Sequence, residues 1–164
     1  MLLWIRNYLT GNLQNTPETL GFLLRDFKVD SAAWDFRPHA DRFTLREMVS
    51  HLADLEEILI GRLERMLTED EPFLPNWDEG QAATEGNYAA RDPLQQLQLF
   101  AERRAQTAEI LKACSESDWQ RVGNREGMGR LTISDQASFV FAHDSYHIRQ
   151  ATQWLEAARA AHLL

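Results

Sequence analysis

Cysteine and lysine are almost missing from this chain of 164 residues. With Cys114 alone, no internal disulfide can form, which excludes a cross-linked scaffold. Basic side chains of all kinds are few: 17 against 25 acidic ones, a formal charge of −8 at pH 7. That sign repels phosphate backbones and anionic lipid, so nucleic acid and membrane surfaces are not expected partners. Long apolar runs are absent too, and nothing approaches the roughly 20 residues that a membrane-crossing helix needs. The opening Met1-Leu2-Leu3-Trp4-Ile5-Arg6 breaks its apolar run too early for a secretion signal. A cytoplasmic protein is expected. Five prolines and eight glycines are too dispersed to make a linker, and there is no repeat or low-complexity tract. The length then favours one compact domain over residues 1–164.

What the chain does have is helical periodicity. Thr16-Pro17-Glu18 reads as an N-cap followed by proline in the first turn, opening a helix with Leu20, Leu23, Leu24 and Phe27 on one side. A short turn or helix from Leu2 to Leu9 precedes it. Thr44-Leu45-Arg46-Glu47 is a capping box with Phe43 and Met48 as its staple, and predicts a second helix from Leu45 to about Leu67. Asp92-Pro93 opens a third, ending near Cys114, with one further turn at Ser115 to Trp119. Thr132-Ile133-Ser134-Asp135 caps a fourth that continues to about Ala160. Strand signals are weak throughout, so the expected fold is all-α, a four-helix bundle. Two connections are long, Asp30 to Phe43 and Glu69 to Arg91; the latter has the reach to cross the bundle and leave the second and third helices parallel. Trp34 and Trp77 in these connections are candidates for a pocket mouth, the alternative being packing on their own core.

The chemistry concentrates in His143-Asp144-Ser145-Tyr146-His147. Two histidines four apart lie on one helix face, one turn from each other. That face, Gln136, Val140, His143, His147, Gln150 and Trp154, is the inward one, and His51 lies on the matching stripe of the second helix with Met48, Leu55 and Leu59. A single inward histidine is ordinarily satisfied by a carbonyl or a carboxylate. Three of them in a core need mutual satisfaction, which a shared divalent cation supplies. His39 and His162 read as solvated bystanders, Glu47 as the capping-box residue, and Asp54 as a surface partner or a ligand orienter. Asp144 points away from the histidine face, and Tyr146 lies off it. With no fourth protein ligand visible, positions on the cation stay open for water or substrate.

The run His51-Leu52-Ala53-Asp54-Leu55-Glu56, followed at a distance by His143-Asp144-Ser145-Tyr146-His147-Ile148-Arg149-Gln150, resembles the DinB/YfiT-like superfamily of metalloenzymes. Trp34-Asp35-Phe36-Arg37-Pro38 and Phe73-Leu74-Pro75-Asn76-Trp77-Asp78 fit the same pattern, so the likeness spans nearly the whole chain. The resemblance implies an up-down-down-up bundle with a long crossover between the second and third helices. It also implies that His51, His143 and His147 are ligands of nickel, zinc or iron, and that the protein forms homodimers and acts on a small molecule. Related groups include transferases that use a low-molecular-weight thiol of the bacillithiol kind.

Two chemistries are therefore weighed for the site. In a thiol S-transferase the cation deprotonates the thiol outright, so no general base is required. A metal-dependent hydrolase profits from a nearby proton shuttle, and none is evident on the inward helix faces. This favours thiol transfer, with Arg37 as the candidate for binding the thiol cofactor and Arg149 as a weaker one. A non-enzymatic metal-binding stress-response module is the remaining alternative.

Overall fold

The computed structural model describes residues 3–164, and six α-helices carry the fold: α1 (Leu3–Leu13), α2 (Asn15–Leu24), α3 (Leu45–Thr68), α4 (Glu79–Glu85), α5 (Pro93–Ala113) and α6 (Ile133–Ala160). The expected start at Thr16-Pro17 is displaced, because α1 and α2 run almost continuously with a break at Gln14. Pro17 lacks the N–H that would bond to the Leu13 carbonyl one turn earlier. That carbonyl accepts instead from the buried Arg104 Nη1 at 2.9 Å. Thr16 caps nothing; its hydroxyl donates to Asp144 Oδ2 at 2.7 Å. Of the segment expected from Leu2 to Leu9, Leu2 lies outside the described residues and the rest belongs to α1.

The other helix starts fall where the caps place them. Thr44 and Glu47 close a reciprocal capping box on α3, Asp92 accepts from Leu94 N and Gln95 N ahead of Pro93, and Thr132 with Asp135 closes a second box on α6. Each satisfies backbone donors that a helix start leaves bare.

Pairing along the helices fixes the topology. Arg46 reaches the Arg91 carbonyl, and further along both chains Glu56 meets Arg104 and Thr107, so α3 and α5 run parallel. Gln150 reaches the Phe43 carbonyl while His143 meets His51, so α6 runs antiparallel to α3. With α1 and α2 counted as one column, the bundle is up-down-down-up. Among the described residues no helix is long and apolar enough to cross a membrane.

The crossover is not structureless. It holds β1 (Phe73–Leu74), α4 and a 3-10 turn at Tyr88–Ala90. β1 pairs in parallel with β2 (Val122–Arg125), which pairs antiparallel with β3 (Gly129–Thr132). This small sheet is absent from the expectation of weak strands, since four-residue strands carry too little alternation to register. Its visible signal is the glycine spacing: Gly127 and Gly129 both take the left-handed φ that the hairpin turn needs. At Gly123 a Cβ would come within 2.5 Å of Leu74 Cδ1 and 3.0 Å of Met66 Cγ, so any larger residue there would displace these buried side chains.

The core splits into two apolar clusters. One gathers Leu24, Trp34, Leu52, Phe100, Ala151 and Trp154; the other gathers Leu13, Leu63, Met66, Leu111, Ile133 and Val140. Between them the helices present polar residues: Glu56 on α3, Arg104 and Thr107 on α5, and His143, Asp144, His147 and Gln150 on α6. The site lies in this polar layer.

Candidate metal centre

His51 stands in the second turn of α3 and His143 and His147 on successive turns of α6, so two capped helices set the positions of three rings. His143 Nε2 lies 3.2 Å from His51 Nε2 and 3.2 Å from His147 Nε2. All three nitrogens fall within 4.8 Å of one another. Imidazole nitrogens at about 2.0–2.1 Å from one late divalent ion, at tetrahedral to octahedral angles, stand roughly 2.9–3.4 Å apart. The donor set therefore fits a single cation.

Protonation points the same way. Burial, reinforced by His143, pushes the His51 pKa down to about 3. Burial, with His143 and His51 close by, pushes His147 down to about 2, and burial lowers His143 as well. All three rings are neutral near pH 7, the form that offers a lone pair to a metal. For His147 the tautomer is fixed. Gln150 Nε2 donates to the Phe43 carbonyl at 2.7 Å, which turns Gln150 Oε1 toward His147 Nδ1 at 3.0 Å. Nδ1 must then carry the proton, leaving the Nε2 lone pair aimed at the other two rings. His51 is set by packing instead, between Phe43 at 5.2 Å and a near-parallel Trp77 at 5.5 Å.

Above the rings opens a cavity of about 730 Å³, lined by His143, His147, Gln150, Phe43, Trp77, Tyr146, Arg42, Asp41, Asp78, Glu79 and Gly80. Two of these correct the sequence reading. Glu79, the first residue of α4, brings Oε2 to 3.8 Å from His51 Nε2, so a titratable carboxylate does face the site. It comes from the crossover, where no helical stripe marks it; the only local signal is Asp78, which caps α4 by accepting from Gln81 N. Tyr146 does line the cavity, its Oη accepting from Arg42 Nε at 3.1 Å.

The crossover is held in place by α3. Arg65 Nη1 donates to the Phe73 carbonyl at 2.8 Å and Arg62 Nη2 to the Pro75 carbonyl at 2.9 Å, while Asn76 N donates to Glu126 Oε2 at 3.0 Å. Trp77 and Glu79 follow directly and are carried over His51.

The other candidates are elsewhere. Arg37 lies outside the cavity lining, its Nη2 donating to both oxygens of Glu47 at 2.8 and 2.7 Å. Arg42 is the arginine at the site. Arg149 is exposed and outside the lining, as is His39; Asp54 is bound by Arg91, and Trp34 is fully buried with its indole N–H on the Lys28 carbonyl. Cys114 ends α5, donating to the Ile110 carbonyl. Asp144 does point away from the histidines, into the buried Arg104 pair.

The sequence pattern of the DinB superfamily matches residues 12–151, which include every one of these ring positions. The chain belongs to the DinB superfamily. As a DinB-superfamily member it is 24% identical over 151 residues to an Oceanobacillus iheyensis protein named "putative metal-dependent hydrolase", covering 90% of this chain and 87% of that one. Its fold matches YfiT from Bacillus subtilis with a TM-score of 0.87 at 19% identity, over 98% of this chain and 90% of that one. YfiT is described as "a probable metal-dependent hydrolase with an unusual four-helix bundle topology".

Proposed function

We propose that this protein is a metal-dependent hydrolase of small molecules, with His51, His143 and His147 holding one divalent cation. The observation that carries the reading is Glu79, a carboxylate at the cavity rim 3.8 Å from His51 Nε2. A cation on three neutral imidazoles supplies Lewis acidity and lowers the pKa of water toward neutrality. Glu79 accepts the proton of the attacking water and passes it to the leaving group as the ester or amide bond breaks. Tyr146 Oη already accepts from Arg42 Nε, which leaves its own hydrogen free to donate to the substrate carbonyl oxygen. Trp77 and Phe43 flank His51 and limit water access to it.

Thiol transfer is favoured on sequence because a metal-bound thiol needs no general base, while no proton shuttle for hydrolysis is visible on the helix faces. With Glu79 in the cavity that argument lapses, and the names of both relatives lean to hydrolysis. The test is an esterase and amidase panel run with and without an added low-molecular-weight thiol, on wild type and Glu79→Gln. Glu79→Gln is expected to lower kcat by about 100-fold or more while the metal content stays equal. Turnover that requires the thiol, or full activity in Glu79→Gln, would overturn the reading.

A further inference from the structure

The cavity carries an unusual balance of charge. Asp41, Asp78 and Glu79 line it, against Arg42 alone. Arg42 is already committed: Nε donates to Tyr146 Oη at 3.1 Å, Nη1 donates to Gln153 Oε1 at 2.9 Å, and the guanidinium packs 4.5 Å from the Trp154 ring. None of the three carboxylates pairs with an arginine or lysine among the described residues, and Glu79 comes within 4 Å only of the imidazole of His51 among the nitrogen-bearing basic side chains described. By contrast, Asp54, Glu57, Glu69 and Glu71 each meet an arginine.

Acidity is not the only feature. The same cavity has aromatic walls, Phe43, Trp77 and Tyr146, and the imidazoles of His143 and His147 line it beside them. Aromatic faces beside unpaired carboxylates attract ammonium groups, through the ring quadrupole and through charge, and repel carboxylates.

We propose that the cavity binds substrates bearing a cationic ammonium group, seated against Trp77 and Tyr146 and facing Asp41 and Asp78. The naming of these ligands as hydrolytic substrates rests on the hydrolase reading; their binding does not. The occupant is thus an ester or amide with an ammonium group on one side of the scissile bond. Water adds to the carbonyl carbon, the bond to the leaving oxygen or nitrogen breaks, and the proton travels by way of Glu79.

Binding is measured by calorimetry on the full chain, chelated so that no carboxylate is drawn to a metal. The probes are benzyltrimethylammonium, benzyl alcohol and phenylacetate. The ammonium is expected to bind at least about tenfold more tightly than the carboxylate, with the difference shrinking in high salt. Asp41→Asn and Asp78→Asn are expected to weaken it by about 2–5-fold each, as for partly exposed charges. Asn keeps the α4 cap, so the second variant tests charge rather than folding. Equal or tighter binding of phenylacetate, or ammonium binding indifferent to both variants, would overturn the proposal. Ammonium binding with no hydrolysis of any ammonium ester by the metal-loaded protein would leave the proposal standing and count against the hydrolase reading alone.

Discussion

His143 and Asp144 are neighbours in the chain yet belong to two opposite kinds of polar cluster. Asp144 enters a closed one. Arg104 Nη2 donates to Asp144 Oδ1 at 3.0 Å and to Glu56 Oε1 at 2.7 Å, Nη1 donates to Asp144 and to the Leu13 carbonyl, and Thr16 and Thr107 complete the two carboxylates. Arg104 and Glu56 have no exposed surface. This cluster touches all four columns of the bundle and satisfies both carboxylates internally. His143 enters an open cluster, where three lone pairs converge and open onto a cavity. The difference teaches what each is for: buried carboxylates with complete partners hold elements in register, whereas converging donors without complete partners are built for a ligand.

The comparison breaks most sharply at Arg104. Arg104→Ala leaves Glu56 and Asp144 buried without their counter-ion, and is expected to cost about 3–5 kcal/mol of stability. Urea unfolding checks this; a loss under about 1 kcal/mol would mean the closed cluster holds little. A smaller effect on the fold is expected at the open cluster. His51→Ala, His143→Ala and His147→Ala should each lose the cation by elemental analysis and remain folded by circular dichroism, and equal metal content in all three and the wild type would remove the assignment. Gln150→Ala frees the His147 ring and removes the donor to the Phe43 carbonyl but takes away no ligand, so metal affinity should fall by about 10–100-fold without abolishing binding. The smallest effect lies outside both clusters. Thr44→Ala removes one half of the α3 capping box, and should cost about 1 kcal/mol with metal stoichiometry unchanged.

Much of this was legible in the chain itself. The caps at Thr44, Asp92 and Thr132 located three helices nearly to the residue, because capping is a local exchange between a side chain and the next turn's backbone. The spacing of His143 and His147 placed both rings on one face for the same local reason, and the stripe containing His51 supplied the third. Where local signals misled, a distant partner had taken over. Thr16 looks like a cap and is instead a hydrogen-bond donor to Asp144, 128 residues away. Arg37 looks available and is held by Glu47, whereas Arg42 is carried to the cavity.

Sequence by itself determined α3, α5 and α6, the inward faces of α3 and α6 and the placing of the three histidines on them, since periodicity and capping act over a few residues. Tertiary structure alone decided that Glu79, Trp77 and Tyr146 share a cavity with them. Glu79 has no period to mark it; it reaches His51 because Arg62 and Arg65 of α3 hold the carbonyls of Pro75 and Phe73, and β1 pairs with β2 some fifty residues later in the chain. Such bonds join segments by geometry, and no pattern within either segment encodes them.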